Sequence, residues 1–230
     1  MATLDIAASE PEQLLGQMAE RGWSSYCIAG LDSASIFREL GRIGNYLGTR
    51  VAGRAGSLEE VIQPRGTDDA HPRSLSSRYG LGALPFHTEL SHRTKPCRYL
   101  LLGCIDPGSP AAATMLLDWR NLRFSPQEID LLEAAPILVR TGRRSFYSTI
   151  LAPGGVFFRY DPACLEGLDD RGRSALRLVE ARIDGAASKA DVHHWRQGDI
   201  LIVDNWRVLH GRSPSDHGSG RRLARILIDA

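Results

Sequence analysis

From Leu84 onward the chain is cut into short apolar runs, each ended by a turn former before it can wind into a long helix. Pro85–Leu90, Arg98–Ile105 and Ala112–Leu117 are separated by Pro96 and by Asp106-Pro107-Gly108. Ile137–Thr141 and Val156–Tyr160 flank a Gly/Arg/Ser/Pro stretch, Gly142–Gly155, that reads as a candidate lid. Gly198-Asp199 turns into Ile200–Asp204, and Arg221–Asp229 is the last run. Apolar runs of this length bounded by Gly, Pro and Asp are strands. Many short strands with few helices select a single β-barrel or sandwich domain covering residues 1–230. Four helical segments accompany them. Pro11–Glu20 starts at Glu10 and Pro11, Asp32–Leu47 carries Ile36, Leu40, Ile43 and Leu47 at helical spacing, Ser125–Glu133 opens with Ser-Pro, and Leu168–Ile183 is amphipathic. Trp23–Ala29 is a further strand-like run. Val51–Gly82, rich in Gly, Arg, Ser, Asp and Pro, reads as one long irregular segment, and loops of that length are often functional.

Composition narrows the class of protein. The 230 residues are 43% apolar, enough for one buried core, and 28 basic against 27 acidic side chains leave a net charge of +1. No basic run interleaved with aromatics points to nucleic acid. No apolar stretch is long enough to span a bilayer, and Asp5, Glu10, Glu12 and Glu20 interrupt the first twenty residues, so the expectation is a cytoplasmic protein. Cys27, Cys97, Cys104 and Cys164 form no CxxC pair and read as reduced, packed thiols.

The chemistry is concentrated in His87-Thr88-Glu89. On a strand, residues two apart face the same side, so His87 and Glu89 share a face approached through Leu84, Pro85 and Phe86. A carboxylate aimed into an apolar barrel is costly unless it is paired or metal-bound. HxE alone is a common spacing, and His71, His92, His193, His194 and His217 read as packed or surface residues. His210 differs: it follows the apolar run Ile200–Val203 in Asp204-Asn205-Trp206-Arg207-Val208-Leu209-His210-Gly211-Arg212. Two histidines and one carboxylate on one face suit non-haem Fe(II), with coordination positions left open; the same donors suit catalytic zinc. Independently, Arg221, Leu223 and Arg225 alternate onto one face of the last strand, while Arg222 points away.

Taken together, His87-x-Glu89, then Asp204-Asn205-x-Arg207-x-Leu209-His210-Gly211-Arg212 after Gly198-Asp199, then Arg221 eleven residues beyond His210, resemble the Fe(II)/2-oxoglutarate-dependent dioxygenases of the taurine dioxygenase and clavaminate synthase type. The resemblance runs from about Trp23 to the C-terminus. It implies a mainly β fold with flanking helices, a double-stranded β-helix or jelly roll. It also implies that His87, Glu89 and His210 bind Fe(II), that Arg221 holds the distal carboxylate of 2-oxoglutarate, and that Thr114 hydrogen-bonds the same group. A bidentate guanidinium suits that carboxylate. Arg225 matches a position near substrate in some relatives, and Arg159-Tyr160-Asp161 resembles a strand motif of amino-acid oxygenases. Asn205 and Trp206 then stand behind the site or in its wall, with Trp206 a candidate substrate contact.

The implied reaction consumes 2-oxoglutarate and O2, releases succinate and CO2, and hydroxylates or desaturates an unactivated C–H bond. Glu89 argues against a halogenase of the superfamily, which lacks the carboxylate. Glutamate rather than aspartate resembles the clavaminate synthase branch, which favours amino acids and their derivatives. The expected partner is a small-molecule substrate, an amino acid or natural-product intermediate, free or tethered to a carrier; nucleic acid and membrane are not expected, and the oligomeric state is open. Glu89 and His210 stand 121 positions apart, a short interval for the family, in which insertions there often form the lid. Closure then falls to Val51–Gly82, to Gly142–Gly155 or to a partner subunit. Two competitors are a zinc-dependent hydrolase, which leaves Arg221 unexplained, and a non-catalytic jelly-roll binding protein, which needs no metal cluster.

Overall fold

Residues 11–70, 74–140, 144–216 and 218–230 are described by the computed structural model. The first half contains helix α1 (Pro11–Arg21), strand β1 (Trp23–Cys27), helix α2 (Ser33–Leu47), strands β2 (Thr49–Val51) and β3 (Glu60–Ile62), and the short helix α3 (Leu75–Tyr79). Strands β4 (Leu84–His87), β5 (Tyr99–Asp106) and β6 (Thr114–Asp118) precede helix α4 (Pro126–Ala134). Strands β7 (Ile137–Val139), β8 (Phe146–Ser148) and β9 (Leu165–Gly167), helix α5 (Asp170–Ala186), and strands β10 (Asp191–His193), β11 (Asp199–Asp204), β12 (Val208–Arg212) and β13 (Arg222–Asp229) follow. No described helix is long and apolar enough to cross a membrane.

Local chemistry explains the helix starts. The Asp32 carboxylate accepts the Ser35 amide at the head of α2, and Ser125 and Glu128 form a reciprocal capping box on α4. Ten of the described strands assemble into two antiparallel sheets, the jelly-roll arrangement, and β8-β7-β9 form a small third sheet. A major sheet runs β1-β11-β5-β13-β2, with β3 also on β13, and a minor sheet runs β10-β6-β12-β4. Alternation divides the apolar residues into layers. Leu101, Ile200, Ile202, Ile226 and Ile228 pack outward with Ile36, Leu40 and Ile43 of α2. Leu100, Leu102, Leu201, Leu223 and Leu227 form a second cluster with Leu116 and Val208 of the minor sheet. Leu117 and Leu209 join the third, with Leu132 of α4 and Ala175, Val179 and Ile183 of α5.

Several elements differ from the sequence expectation. Val51–Gly82 is not irregular throughout, because β3 pairs with β13 and α3 is capped by Ser74. Val156–Tyr160 is no strand; it contributes one bridge, Phe158 with Leu151. Val208–Arg212, which the sequence did not mark as a separate strand, is a buried strand between β4 and β6. Gly211 permits the close approach of β4, since a Cβ there would lie 2.8 Å from the Leu84 carbonyl oxygen. Glu10, His71, Thr141, the beginning of Gly142–Gly155 and His217 lie outside the described residues.

Arg207 ties the two halves together. Its Nε donates to Asp118 at 2.7 Å, and Nη1 and Nη2 donate to the Ala19 and Glu20 carbonyls at 2.8 and 2.7 Å, in the last turn of α1. It thereby satisfies carbonyls that a helix end leaves open and sits at the negative end of the helix dipole. Arg207→Ala strands a buried Asp118 carboxylate and is expected to lose about 3–5 kcal/mol. For a chain of this size that is a fall in melting temperature of roughly 10 °C, read by calorimetry; an unchanged melting temperature would contradict this role.

Candidate active site

His87 ends β4, and Glu89 is not on the strand with it. The expected run Pro85–Leu90 stops at His87, and the chain turns through Leu90 at φ 56°. The turn preserves the alternation. The Thr88 hydroxyl points the other way, donating to the Phe158 carbonyl at 2.9 Å and accepting the Tyr160 amide at 3.1 Å. Asn205 clamps Glu89 from behind: its Oδ1 accepts the Glu89 amide at 2.7 Å, and its Nδ2 donates to the Glu89 and Cys97 carbonyls at 3.1 and 2.7 Å. The asparagine of the Asp204-Asn205 pair therefore fixes the carboxylate's backbone. His210 comes from β12, directly opposite His87 on β4, and the two ring centroids are 4.2 Å apart.

One potential ligand atom from each of His87, Glu89 and His210 lies within 4.8 Å of the other two. The His87 Nδ1–H donates to the Pro85 carbonyl at 2.9 Å, so Nε2 is the ring atom left to serve as a ligand. Burial, followed by the neighbouring His87, lowers the His210 pKa to about 3, so this imidazole is neutral. Burial pushes the Glu89 carboxyl up, but Arg225 first, then His210 and His87, outweigh it and hold the group well below the usual carboxylate range. Arg225 Nη1 reaches Glu89 Oε2 at 2.9 Å. A neutral imidazole at His210 and an ionised carboxylate at Glu89 are the protonation states a divalent metal requires.

A cavity of about 530 Å³ opens beside this cluster. Thr114, Asp161, Arg221 and Arg225 all line it, together with Glu60 and Arg212. Arg221 uses Nη1 on the Ala112 carbonyl at 2.9 Å, while its Nε is buried without a partner. Burial, then the adjacent Arg212, lower its pKa to about 10, so it is cationic at neutral pH. Thr114 Oγ1 accepts the Trp195 indole N–H at 3.0 Å, which leaves the threonine's own O–H to donate elsewhere. Arg225 is braced by Glu60, whose Oε2 accepts from Nε at 3.0 Å and from Nη2 at 2.5 Å.

Two expected substrate contacts are corrected. Arg159 is fully buried and lines no part of the cavity. Its guanidinium donates to the carbonyls of Ser91, Arg93 and Thr94, so it holds the turn after Glu89. Trp206 also lies outside the cavity lining; its indole donates to the Pro96 carbonyl at 3.0 Å, and Lys95 and Arg98 lie over its ring. Glu60 and Trp195 were not anticipated. Glu60 lay inside a segment read as loop, and a tryptophan gives no sequence sign that its N–H serves a threonine.

Comparison with known proteins agrees with this geometry. Residues 123–227 match the family model "Taurine catabolism dioxygenase TauD, TfdA family". The chain is 26% identical over 208 residues to a tyrosine isonitrile desaturase of Pseudomonas aeruginosa, covering 76% of this chain and 67% of the relative. It is 32% identical over 189 residues to an L-lysine 3-hydroxylase of Catenulispora acidiphila, covering 70% of this chain but only 51% of that protein. Among solved structures, an asparagine oxygenase with Fe(II), 3-hydroxyasparagine and succinate superposes with a TM-score of 0.77 at 20% identity, over 95% of this chain and 79% of the other. The non-haem iron oxygenase OrfP with Fe and α-ketoglutaric acid gives a TM-score of 0.74 at 21% identity, over 95% and 78%. The match to the TauD, TfdA family covers residues 123–227, and the fold as a whole is that of the solved non-haem iron oxygenases.

The His210 pKa makes the metal-free fold acid-sensitive. Its folded value lies below the unfolded value of about 6.5, so the unfolded chain takes up the proton first, and stability falls as pH drops from about 6.5 towards the folded value. Between pH 7 and pH 5 this one group accounts for about 2 kcal/mol. In EDTA, urea unfolding at the two pH values is expected to show His210→Gln losing about 2 kcal/mol less than the parent protein. Equal losses would contradict a buried neutral His210.

Proposed function

We propose that this chain is an Fe(II)/2-oxoglutarate-dependent oxygenase that hydroxylates, or desaturates, a C–H bond of a small amino acid. The observation that carries the reading is one cavity lined by three metal donors and by a buried arginine whose Nε has no partner. His87, Glu89 and His210 would hold Fe(II), and the donor set fits: two imidazoles, that of His210 neutral with its Nδ1 buried without a hydrogen bond, and an ionised carboxylate. Bound there with 2-oxoglutarate and O2, the metal supplies the oxidising power for C–H cleavage, with succinate and CO2 released. Zinc hydrolysis would use the same donors but give Arg221 no task, and a binding protein would have no use for the cluster.

The chain's own residues do the positioning. Arg221 Nε and the Thr114 hydroxyl would receive the distal carboxylate of 2-oxoglutarate, with Trp195 fixing the threonine as the donor. Arg225 spends three of its five N–H bonds on Glu60 and Glu89 and keeps two for a ligand. Two carboxylates around one guanidinium leave a local negative charge, which favours a cation. An α-amino acid satisfies both demands, its carboxylate on Arg225 and its ammonium on Glu60. That pairing favours a free amino acid over a carrier-tethered one, whose carboxyl is masked. Asp161 faces the same space and would read the side chain. The wall from Arg54 to Arg65 would exclude water. The related desaturase and lysine hydroxylase act, by their names, on amino-acid-derived and amino-acid substrates. Residues 1–230 are taken as one domain, and a cytoplasmic setting, where thiols stay reduced, is part of the same proposal.

The test is to incubate Fe(II)-loaded protein with 2-oxoglutarate, O2 and a panel of free amino acids. Succinate is expected in equal amount to an oxidised product from one of them. Glu89→Ala should lower turnover by about three orders of magnitude, and Glu60→Gln should raise the amino-acid KM roughly tenfold while leaving that of 2-oxoglutarate unchanged. No substrate-linked succinate across the panel would overturn the amino-acid assignment, and full activity in Glu89→Ala would overturn the metal site.

A further inference from the structure

Arg212 closes the Asp204–Arg212 motif, and nothing above assigns it a task. It sits on β12 opposite Thr114 and lines the same cavity as Arg221. Its Nη2 donates to the Gly80 and Gly82 carbonyls at 2.8 and 2.7 Å, in the segment that joins α3 to β4. Its Nε, like that of Arg221, is buried and carries no hydrogen bond. Among the described residues no carboxylate pairs with either arginine: Arg212 is met by the two glycine carbonyls and Arg221 by the Ala112 carbonyl. A buried guanidinium is costly unless its charge and its donors are met. Here two line one cavity with Thr114, and the Arg212 charge disfavours that of Arg221, so their repulsion adds to the cost. The neutralising group has to come from the cavity. A carboxylate offers two oxygens and four lone-pair sites, enough for Thr114 and both unpartnered Nε–H groups.

The second half of the Arg212 fork points the other way, into a wall. Gly80 closes α3 through its amide on the Ser76 carbonyl, and the Gly82 amide bonds the Tyr79 carbonyl. Ser74, Leu75 and Ser76, at the other end of α3, line the cavity. One planar, rigid guanidinium thus touches the anion end of the cavity and two carbonyls of its wall, a pairing that a lysine ammonium on a flexible stem would not fix.

We propose that Arg212 is a second cation of the co-substrate site, sharing with Arg221 the distal carboxylate of the 2-oxo dicarboxylate, and that filling this site fastens the Gly80–Gly82 wall. The inference rests on the oxygenase reading above. Because a ligand stabilises the state that binds it, wall order and anion affinity must change together. An anion that relieves Arg212 lowers the tendency of Gly80 and Gly82 to let go; a 2-oxo acid without a distal carboxylate, such as 2-oxobutyrate, leaves the wall as it was.

The experiment uses the full chain loaded with Fe(II) under anaerobic conditions. Hydrogen exchange is followed at the Gly80 and Gly82 amides without ligand, with 2-oxoglutarate and with 2-oxobutyrate, and both acids are titrated calorimetrically into the parent protein, Arg212→Gln and Arg221→Gln. The expectation is slower exchange of both amides with 2-oxoglutarate only. Arg212→Gln should bind 2-oxoglutarate roughly 10- to 100-fold more weakly and 2-oxobutyrate as the parent does. Equal protection by the two acids, which needs no variant, overturns the coupling. Parent-like 2-oxoglutarate affinity in Arg212→Gln, with Arg221→Gln impaired, overturns the Arg212 assignment and leaves the oxygenase reading standing. Failure of the parent protein to bind either acid overturns both.

Discussion

The site depends on keeping the Glu89 carboxylate ionised where burial opposes it. Desolvation alone would favour the protonated acid, and a protonated Glu89 is no ligand for a metal. Arg225 supplies the compensating charge at 2.9 Å, and Glu60 in turn holds Arg225. The backbone of Glu89 is fixed separately, by Asn205 from the β11–β12 connection and by the buried Thr88 hydroxyl. Position and charge therefore come from different elements. The strand that carries Arg225, β13, also begins next to Arg221, so one strand places both arginines in the cavity lining.

The cavity lining carries charge of two kinds. Arg212 and Arg221 have no carboxylate partner among the described residues, whereas Arg225 is met by Glu60 and Glu89 in the same lining as the two histidines. A dicarboxylate held by the first pair and a zwitterion held by Arg225 and Glu60 would meet at the histidines. Fixed charges of this kind need no reorganisation when ligands enter, which is where a buried site gains over water.

How much of this could be read from the amino acids differs by element. Strand β13 was legible because Arg221, Leu223 and Arg225 alternate in a way only a strand satisfies, and α2 and α4 were legible from Asp32 and Ser125 as caps. The motif residues His87, Glu89 and His210 converge as their order implied, but the reason given for the first pair was incomplete. A turn at Leu90, not a continuous strand, brings Glu89 round. Strand β3 and helix α3 were hidden because three and five residues in a polar, Gly-rich stretch carry no periodicity; pairing with β13 and the Ser74 cap create them. Arg159 misled because a charge beside Asp161 looks like recognition, whereas it is consumed by the backbone carbonyls of the Ser91–Thr94 turn. Glu60 was out of reach for a simpler reason: its partner Arg225 is 165 residues away.

The most direct measurement is optical. Fe(II) and 2-oxoglutarate are added to the metal-free protein in the absence of oxygen, and the visible spectrum is recorded before and after the second addition. A charge-transfer band that requires both additions, and that is absent from His210→Ala, is the predicted result. A colourless protein that takes up zinc in preference and shows no band with 2-oxoglutarate would contradict the assignment of His87, Glu89 and His210 as the seat of Fe(II) chemistry.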